Sequence, residues 1–346
     1  MVSTPVTWAE VAAAAKRGDP DSLAFDAAHA LRRVEERGDF FAPVLKLKQR
    51  PARWSRPAVR RHELLPRSCY APPPVMPELP EVEITRRNLE RWLAGRRVVS
   101  ADAEKTRTFR GANREAFQSL RGKLVDASRK GKYLLLQFEN EGLLAHLGMT
   151  GKFVRRGRGV AEPYSRARLY LDNDEVIHFR DPRRFGRLEP VEAGRLWQLE
   201  SIRQLGRDPL TDGLNAAQLK EAVGRSKQAI KVALMDQSRI AGLGNIHASE
   251  ALFRAGIHPA RKPGSLSAAE WKKLVQAIHA TIRFALAREK GEEIGYVEEP
   301  GTPNPFLIYG RGKERCRKCK SAVKQMVQAG RTTYFCPRCQ PRRRSG

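Results

Sequence analysis

A leading helix is predicted from apolar residues at helical spacing. It begins near Pro80 and ends near Gly95, and its apolar face carries Val82, Leu89 and Leu93. Proline fits the first turn of a helix because the first backbone N–H groups there have no intrahelical partner. The pattern therefore predicts an amphipathic helix ahead of the rest of the fold.

Short apolar runs of strand length follow this helix. Turn residues such as Asp172-Asn173-Asp174 separate them, and short strands at this spacing are typical of a β-sandwich. The expected fold is α+β, with a β-sandwich behind the leading helix. The strands are predicted at residues 133–138, 142–147, 167–171 and 176–179.

The apolar period becomes helical in the second half of the chain. Ser226 is predicted to cap a helix that carries Ile230, and another helix is predicted over residues 246–255. Ser267 and Glu270 form a capping box for a longer helix. The apolar stripe of that helix is predicted to lie in the core and consists of Trp271, Leu274, Val275, Ile278 and Ile282.

The net charge of the chain predicts the kind of partner that it binds. The chain has 65 Lys and Arg against 38 Asp and Glu, a formal net charge of +27. Such an excess predicts a polyanionic partner, with DNA or RNA first, while the alternative is a merely solubilising surface. Neither an apolar run of membrane-spanning length nor a secretory signal pattern is found, so a cytoplasmic protein is expected, with no membrane partner.

The cysteines predict a metal site near the C-terminus. Two Cys-x-x-Cys pairs are separated by sixteen residues, among which Ala329-Gly330 is a turn signal and residues 332–335 are a strand signal. Four thiolates suit one tetrahedral structural Zn²⁺, so a zinc-bound β-hairpin is predicted, with a disulfide pair as the alternative. Cys69 lies outside the pattern and is expected to be an idle thiol. The predicted ligands are Cys316, Cys319, Cys336 and Cys339.

Several motifs together resemble the formamidopyrimidine-DNA glycosylase and endonuclease VIII family. The resemblance runs from residue 76 to about residue 340, in the family's order. It implies a β-sandwich domain, a helix–two-turn–helix domain and a zinc finger, with damaged double-stranded DNA across the cleft. The motifs are residues 76–83 (MPELPEVE), 130–136 (KGKYLLL), 146–151 (HLGMTG), 181–186 (DPRRFG) and 242–250 (GLGNIHASE).

The resemblance also implies a set of catalytic residues. Pro77 matches the family's nucleophile, which is the amine of an N-terminal proline. Glu78 matches the acid/base carboxylate, Lys132 a second proton donor and Glu81 a nearby carboxylate of the site. Arg331 matches an arginine that contacts DNA and serves the second elimination. Because proline nitrogen within a chain is a non-nucleophilic amide, the active species is expected to start at Pro77.

DNA contacts are implied in the same way. A glycosylase takes the damaged base out of the stack, which leaves a hole in the duplex. Met149, Arg183 and Phe185 match the family's three void-filling residues. Tyr164 stands where the family commonly has a DNA-contacting histidine.

Phosphate contacts are expected at the helical half and the finger. Lys227 and Asn245 are the expected contacts in the helical half, and Arg331 is the one in the finger. The backbone of residues 242–244 is expected to join them, since glycines allow close approach and helix N-termini favour anions.

The function implied is a monomeric bifunctional glycosylase and abasic-site lyase acting on oxidised purines by β,δ-elimination. The segment 291–310 looks shorter than the family loop that covers 8-oxoguanine. Two alternatives stay open. One is an endonuclease VIII-like enzyme for oxidised pyrimidines or hydantoins. The other is a non-enzymatic lesion binder, if Pro77 is never exposed.

The first 75 residues need a separate account. Residues 5–11 and 38–49 resemble the end of the polymerase domain of bacterial ligase D proteins, in a tail too short to hold a catalytic polymerase. An upstream gene end joined in frame, or a mis-called start codon, explains such a tail. The expected domains are an extension and linker (1–75) outside the active enzyme, a catalytic β-sandwich (77–208), the helix–two-turn–helix domain (209–300) and the zinc finger (301–346).

Overall fold

The computed structural model describes residues 77–109, 113–288, 291, 293 and 303–342. The expectations for residues 1–75, including Cys69, lie outside the described residues, as does half of segment 291–310, for which a short loop was expected. The first part of the described chain contains α1 (Leu79–Leu93), β1 (Arg97–Ala103), α2 (Asn113–Ser119), β2 (Gly122–Lys130), β3 (Tyr133–Phe138), β4 (Glu141–His146), β5 (Lys152–Gly157), β6 (Ser165–Leu171), β7 (Glu175–Arg180) and β8 (Arg187–Glu192). The second part contains a 3₁₀ turn (Leu196–Gln198), α3 (Glu200–Arg203), α4 (Ala216–Val223), α5 (Ile230–Leu234), α6 (Asn245–Ala255), a 3₁₀ turn (Pro263–Ser265), α7 (Ala268–Arg288), β9 (Lys324–Gln328) and β10 (Arg331–Phe335).

The predicted β-sandwich is confirmed, with both layers drawn from one continuous sheet. The eight strands are antiparallel in the order β5-β7-β6-β1-β2-β3-β4-β8. The two four-stranded halves join only through the short β1–β2 pairing, and their apolar faces share one core. Leu134 and Leu136 come to this core from one half, and Leu169, Ile177 and Phe179 come from the other.

Four strands were not predicted, because their apolar signal is weak. Most residues of β1 and β2 are only partly buried or exposed, so the two strands do not form apolar runs. The strands β5 and β8 lie at the two ends of the sheet order. Pro190 lies within β8, where an edge position tolerates a residue without a backbone N–H.

Helix α1 belongs to two cores at once. Val82 and Leu89 are fully buried in the core of the sandwich, whereas Leu79 is fully buried in the core of the helical half. The N–H of Leu79 donates to the carbonyl of Gly242 at 3.1 Å. Gly242 has a φ of +93°, and a Cβ there would lie 2.7 Å from the Cβ of Leu79. The helical half therefore fixes the start of α1.

The helical half confirms the long helix and corrects one cap. The apolar stripe of α7 is buried, and the predicted capping box is present: Ser267 N–H donates to Glu270 at 2.8 Å, and Glu270 N–H donates to Ser267 at 3.3 Å. The prediction that Ser226 caps a helix is wrong. Helix α5 begins at Ile230, and the Ser226 hydroxyl accepts the N–H of Gln228 within the preceding loop. In the described part of the chain, every helix is too short or too polar to cross a lipid bilayer.

The C-terminal hairpin packs on α6. Strands β9 and β10 meet at Ala329 and Gly330, which have φ values of 47° and 72°, as a tight two-residue hairpin turn requires. Ile246 and Phe253 of α6 share a buried cluster with residues of the hairpin segment, including Tyr334. The finger is thereby held against α6. The domain limits given above stay predictions.

Candidate active site

The carboxylate of Glu78 lies at the N-terminus of α6. Its Oε1 accepts the N–H of Ile246 at 2.8 Å, and its Oε2 accepts the N–H groups of Gly244 at 2.8 Å and His247 at 3.1 Å. Nδ1 of the His247 ring lies 2.6 Å from the same Oε2. Residue 78 is only 2% exposed, so these donors take the place of water around the carboxylate. Backbone N–H groups at a helix N-terminus favour an anion in this position.

These donors hold Glu78 in its ionised form. Burial by itself raises the pKa of the carboxyl, because a charge is harder to maintain away from water. The charge and hydrogen bond of His247, the charge of Lys132 and the N–H of Ile246 outweigh burial and lower the pKa of Glu78 to about 2. Glu78 is therefore a carboxylate at neutral pH.

Glu81 is a second carboxyl with the opposite tendency. Its Oε2 accepts the N–H of Glu78 at 2.9 Å, which ties it to the first turn of α1. Burial and the charge of Glu78 raise the pKa of Glu81, although His247 opposes them. Two neighbouring carboxyls with pKa values moved apart can divide acid and base roles between them.

Lys132 reaches the same point from the sandwich. It follows Gly131, whose N–H donates to the buried Asp208 at 2.8 Å. A Cβ placed on Gly244 would lie 2.7 Å from the Lys132 Nζ and 2.4 Å from the Glu78 Cδ. Burial lowers the pKa of Lys132, and the charge of Arg331 lowers it further, against the charges of the two carboxylates. Lysine, carboxylate and glycine backbone therefore converge beside the first residues of α1.

A buried lysine of α5, Lys231, links the finger to the start of α6. Lys231 is fully buried, and its Nζ donates to Asn245 Oδ1 at 2.5 Å and to Thr333 Oγ1 at 2.6 Å. The Asn245 side chain also donates to the carbonyl of Thr332 at 3.2 Å. Burial lowers the pKa of Lys231 to about 7, with the charge of Arg331 acting in the same direction. Arg331 is the exposed first residue of β10.

Two loops bring the predicted void-filling residues into one region. Asp181 is fully buried and accepts the Thr150 hydroxyl at 2.6 Å and the N–H of Gly186 at 2.7 Å, which links loop 147–151 to loop 181–186. A Cβ on Gly148 would lie 2.4 Å from the Phe185 carbonyl carbon, so the loops are in close contact. Met149 is half-buried, and the residues at the surface are Arg183 and Phe185, with the guanidinium 5.1 Å from the ring centre.

Tyr164 lies beside these loops in a strained conformation. Its φ is +62°, a region that favours glycine, and the residue is 54% exposed. Its carbonyl accepts the N–H of Asp181 at 3.0 Å, and the Arg166 guanidinium lies 5.8 Å from the ring centre. Strain of this kind persists only where the surroundings impose it, and it is common at functional sites.

The four predicted zinc ligands come together in the finger. Their sulfur atoms all lie within 4.8 Å of one another, with Cys316 and Cys339 at 3.9 Å and Cys319 and Cys336 at 3.4 Å. Tetrahedral zinc with bonds of about 2.3 Å requires sulfur atoms about 3.8 Å apart. The cluster therefore fits one zinc ion with no open position for a substrate.

The sequence matches three family descriptions in succession. Residues 76–188 match the formamidopyrimidine-DNA glycosylase N-terminal domain, residues 205–294 its H2TH domain, and residues 313–342 the zinc finger found in FPG and IleRS. The chain belongs to the formamidopyrimidine-DNA glycosylase family. Its four-cysteine finger is accordingly a zinc site of that family, which confirms the prediction from the cysteine spacing.

Similar proteins and solved structures support the same family assignment. The formamidopyrimidine-DNA glycosylase of Desulfitobacterium hafniense is 39% identical over 274 residues, which are 77% of this chain and 100% of the relative. That of Paraburkholderia phymatum is 37% identical with the same coverage. The crystal structure of the MutM (Fpg) protein of Thermus thermophilus matches with a TM-score of 0.65 at 34% identity, over 76% of this chain and 98% of that one. A complex between Lactococcus lactis Fpg and DNA containing an abasic site matches at 0.69 and 27% identity, over 77% and 100%.

The structure brings three of the predicted catalytic residues of this glycosylase-family chain together. Glu78, which directly follows Pro77, and Glu81 lie at the start of α1. Lys132 lies close to Glu78 beside Gly244, at the start of α6. Lys227, by contrast, is exposed in the loop before α5. The lysine that contacts Asn245 is the buried Lys231, four residues on, which sequence reasoning missed. His247 was also missed, since nothing local links it to Glu78.

Proposed function

We propose that this chain is a DNA glycosylase and abasic-site lyase of DNA repair that removes oxidised purines from double-stranded DNA through the amine of Pro77. The observation that carries the proposal is the arrangement around Pro77. The ionised Glu78 follows Pro77 in sequence. The Glu78 carboxylate and the Lys132 ammonium both lie beside Gly244. The names of the relatives and the DNA complexes of the Lactococcus lactis enzyme support the same activity.

The proposed reaction begins with attack of the Pro77 nitrogen on C1′ of the damaged nucleotide. The bond from C1′ to the base breaks, and the base leaves with the electron pair and takes up a proton. The Lys132 ammonium is suited to supply that proton, because its lowered pKa makes it a stronger acid than an ordinary lysine. The attacking nitrogen then gives its proton to the Glu78 carboxylate, which passes it to the ring oxygen O4′ as the C1′–O4′ bond breaks and the sugar opens. The product is an iminium between Pro77 and C1′, and the Glu78 carboxylate, ionised again, stabilises its positive charge.

Strand cleavage follows from the iminium. The cationic nitrogen acidifies the hydrogen on C2′, and its removal expels the 3′ phosphate in the β-elimination. The second elimination expels the 5′ phosphate, and Arg331 at the edge of the finger is proposed to serve it by contacting the phosphate. Hydrolysis of the iminium then releases the Pro77 amine.

A free amine at Pro77 is a covalent requirement of this scheme. In a chain that includes Met76, the Pro77 nitrogen is an amide whose lone pair is delocalised into the carbonyl. An α-amino group, in contrast, has an ordinary pKa of about 7.7–8.0 and is partly neutral at physiological pH. The proposed active form therefore begins at Pro77, through a start at Met76 with removal of methionine or through proteolysis before Pro77.

The DNA contacts are proposed on both sides of this site. Met149, Arg183 and Phe185 would fill the hole left by the extruded base, since their two loops are held together by Asp181. Tyr164, exposed beside them, would contact the duplex. Phosphate contacts are proposed for the finger and the helical half, at Arg331, Lys227 and Asn245.

Borohydride trapping on a duplex with an abasic site tests the proposal. Chains whose N-terminus is shown to be Pro77 should form a stable covalent adduct, and Pro77→Gly should form it more slowly. The 346-residue form, checked by mass spectrometry, should form none. An adduct and full lyase activity from chains that keep residues 1–76 would reject Pro77 as the nucleophile. Failure of every form to be trapped would favour a lesion binder without lyase chemistry.

An oxidised-pyrimidine substrate is the second candidate. A solved complex of Lactococcus lactis Fpg with DNA containing an oxidised pyrimidine matches this chain at a TM-score of 0.69, so the family fold admits such a lesion. A panel of duplexes with 8-oxoguanine opposite cytosine, formamidopyrimidine and thymine glycol separates the two. We expect the purine lesions to be cut fastest. Thymine glycol cut at least as fast as both would replace the purine assignment.

A further inference from the structure

His247 is a buried polar side chain that the chemistry above does not use. Its ring is 1% exposed, and Nδ1 lies 2.6 Å from Oε2 of Glu78. Its other ring nitrogen, Nε2, is buried and has no hydrogen-bond partner among the described residues. The ring of Phe306 meets it edge-on, with centres 6.5 Å apart. Glu78 is therefore the polar group toward which the ring is directed.

The donor in this contact is defined by chemistry. An ionised carboxylate oxygen can only accept hydrogen bonds, so Nδ1 must carry the hydrogen. The backbone N–H of His247 donates to the same oxygen at 3.1 Å. One residue thus holds Oε2 of Glu78 with two donors, while Ile246 holds the other oxygen at 2.8 Å.

The surroundings decide the charge of the ring. Burial, the largest influence, lowers the pKa of His247, but three nearby carboxylates outweigh it and raise that pKa overall. They are Glu78 just before α1, Glu81 on α1 and Glu250 on α6. Phe306 adds no charge. Three positive side chains lie around the site: Lys132 in the β2–β3 turn, Lys231 on α5 and Arg331 on β10. Lys132 and Lys231 interact with the charge of Glu78, and Arg331 interacts with the charges of both lysines.

We propose that His247 is a positioning residue for the glycosylase reaction, whose ring holds the Glu78 carboxylate in place and in its charged form. This inference rests on the proposed function, because His247 acts only through Glu78. The carboxylate must be ionised to stabilise the positive charge that develops at the Pro77 nitrogen. Without the ring, burial would be offset only by the charge of Lys132 and the backbone N–H groups, so the pKa of Glu78 would rise and the carboxylate would take up a proton at a higher pH than in the wild type.

The tautomer of the ring in the wild-type protein is the first test. Nitrogen-15 spectra of the zinc-loaded full chain, with the signals assigned by comparison with His247→Asn, report which ring nitrogen carries hydrogen. We expect Nδ1 of His247 to be protonated at neutral pH, with Nε2 either protonated or free. An unprotonated Nδ1 would overturn the proposal, because the ring could not then donate to Glu78.

The pH dependence of base release is the second test. Single-turnover rates are measured from about pH 5 to about pH 8 on zinc-loaded enzyme whose N-terminus is shown to be Pro77. The ratio of variant to wild-type rate removes the pH effects that are common to both enzymes and leaves those that depend on residue 247. For His247→Leu we expect this ratio to fall by about tenfold or more as the pH falls across this range. His247→Asn keeps a neutral N–H near the position of Nδ1 and should show a smaller fall.

Controls separate this proposal from the function on which it rests. His279→Asn on α7, outside the site, should follow the wild type. A ratio for His247→Leu that stays constant with pH would overturn the positioning role, even if the overall rate were lower. If His247→Leu fails to fold or to bind zinc, the His247→Asn profile and the tautomer decide. If Glu78→Gln releases the base as fast as the wild type, the assignment of Glu78 in the proposed function fails, and this inference fails with it.

Discussion

The carboxylate of Glu78 accepts the backbone N–H of Gly244 at 2.8 Å, although the two residues are 166 positions apart in the chain. This bond joins the residue just before α1, in the sandwich half, to the N-terminus of α6, in the helical half. It leaves no room for a side chain at residue 244, because a Cβ there would lie 2.4 Å from the Glu78 carboxyl. The Glu78 carboxylate can therefore occupy this position only because residue 244 is a glycine.

Gly244→Ala should damage the site more than the fold. The new methyl group must displace Glu78 or Lys132, so we expect base release to slow by at least about tenfold, while the melting temperature changes by only a few degrees. The matched control is Gly264→Ala in the same half, where the nearest atom to a new Cβ is 3.7 Å away. Equal rates for the two variants would show that the observed packing around Glu78 does not matter for activity.

Glu78 should stabilise the fold in a pH-dependent way. Its pKa is about 2 in the folded protein against an ordinary 4.5, so its contribution is fully present above about pH 4.5 and is lost as the pH falls toward 2. We expect Glu78→Gln to lower the free energy of unfolding by on the order of 3 kcal/mol near neutral pH and by less at about pH 3. Urea unfolding at several pH values measures this. The control Glu90→Gln removes an exposed carboxylate, so its effect on the free energy of unfolding should be small and should not change with pH. An effect of Glu78→Gln that also does not change with pH would contradict the low pKa of Glu78.

Zinc should be bound at one ion per chain. Replacing the buried Cys336 by serine removes one of four ligands, and we expect loss of the metal, unfolding of the hairpin and loss of DNA binding, with the sandwich and helical halves still folded. Metal analysis, circular dichroism and DNA binding are measured together. Cys69→Ser, outside the two pairs, should keep the full metal content. Freshly purified protein without zinc would end the assignment.

DNA binding should weaken steeply with salt, since Lys and Arg on phosphates release counterions. Lys227→Ala and Arg331→Ala should each reduce the slope of log affinity against log salt by about one unit, if each side chain contacts one phosphate. Arg195→Ala, in the turn after β8 and outside the proposed contacts, serves as the control. Unchanged slopes for both variants would show that the phosphate contacts lie elsewhere.

The sequence by itself determined the features whose physics is local. Two Cys-x-x-Cys pairs identify a zinc site because each pair brings its thiolates together within a few residues. The stripe of α7 is recognisable because helical periodicity repeats over many turns, and the capping box spans only Ser267 to Glu270. The covalent argument about Pro77 likewise needs only the neighbouring residue.

The tertiary structure decided the features that join distant parts of the chain. Strands β1 and β2 have little apolar signal and were recognised only through their hydrogen-bonded neighbours. His247 meets Glu78 across 169 residues, and Lys231 meets Thr333 across 102. Such contacts carry no local pattern, because burial and charge pairing depend on which elements pack together. The charge state of the site is therefore a property of the assembled fold rather than of any motif.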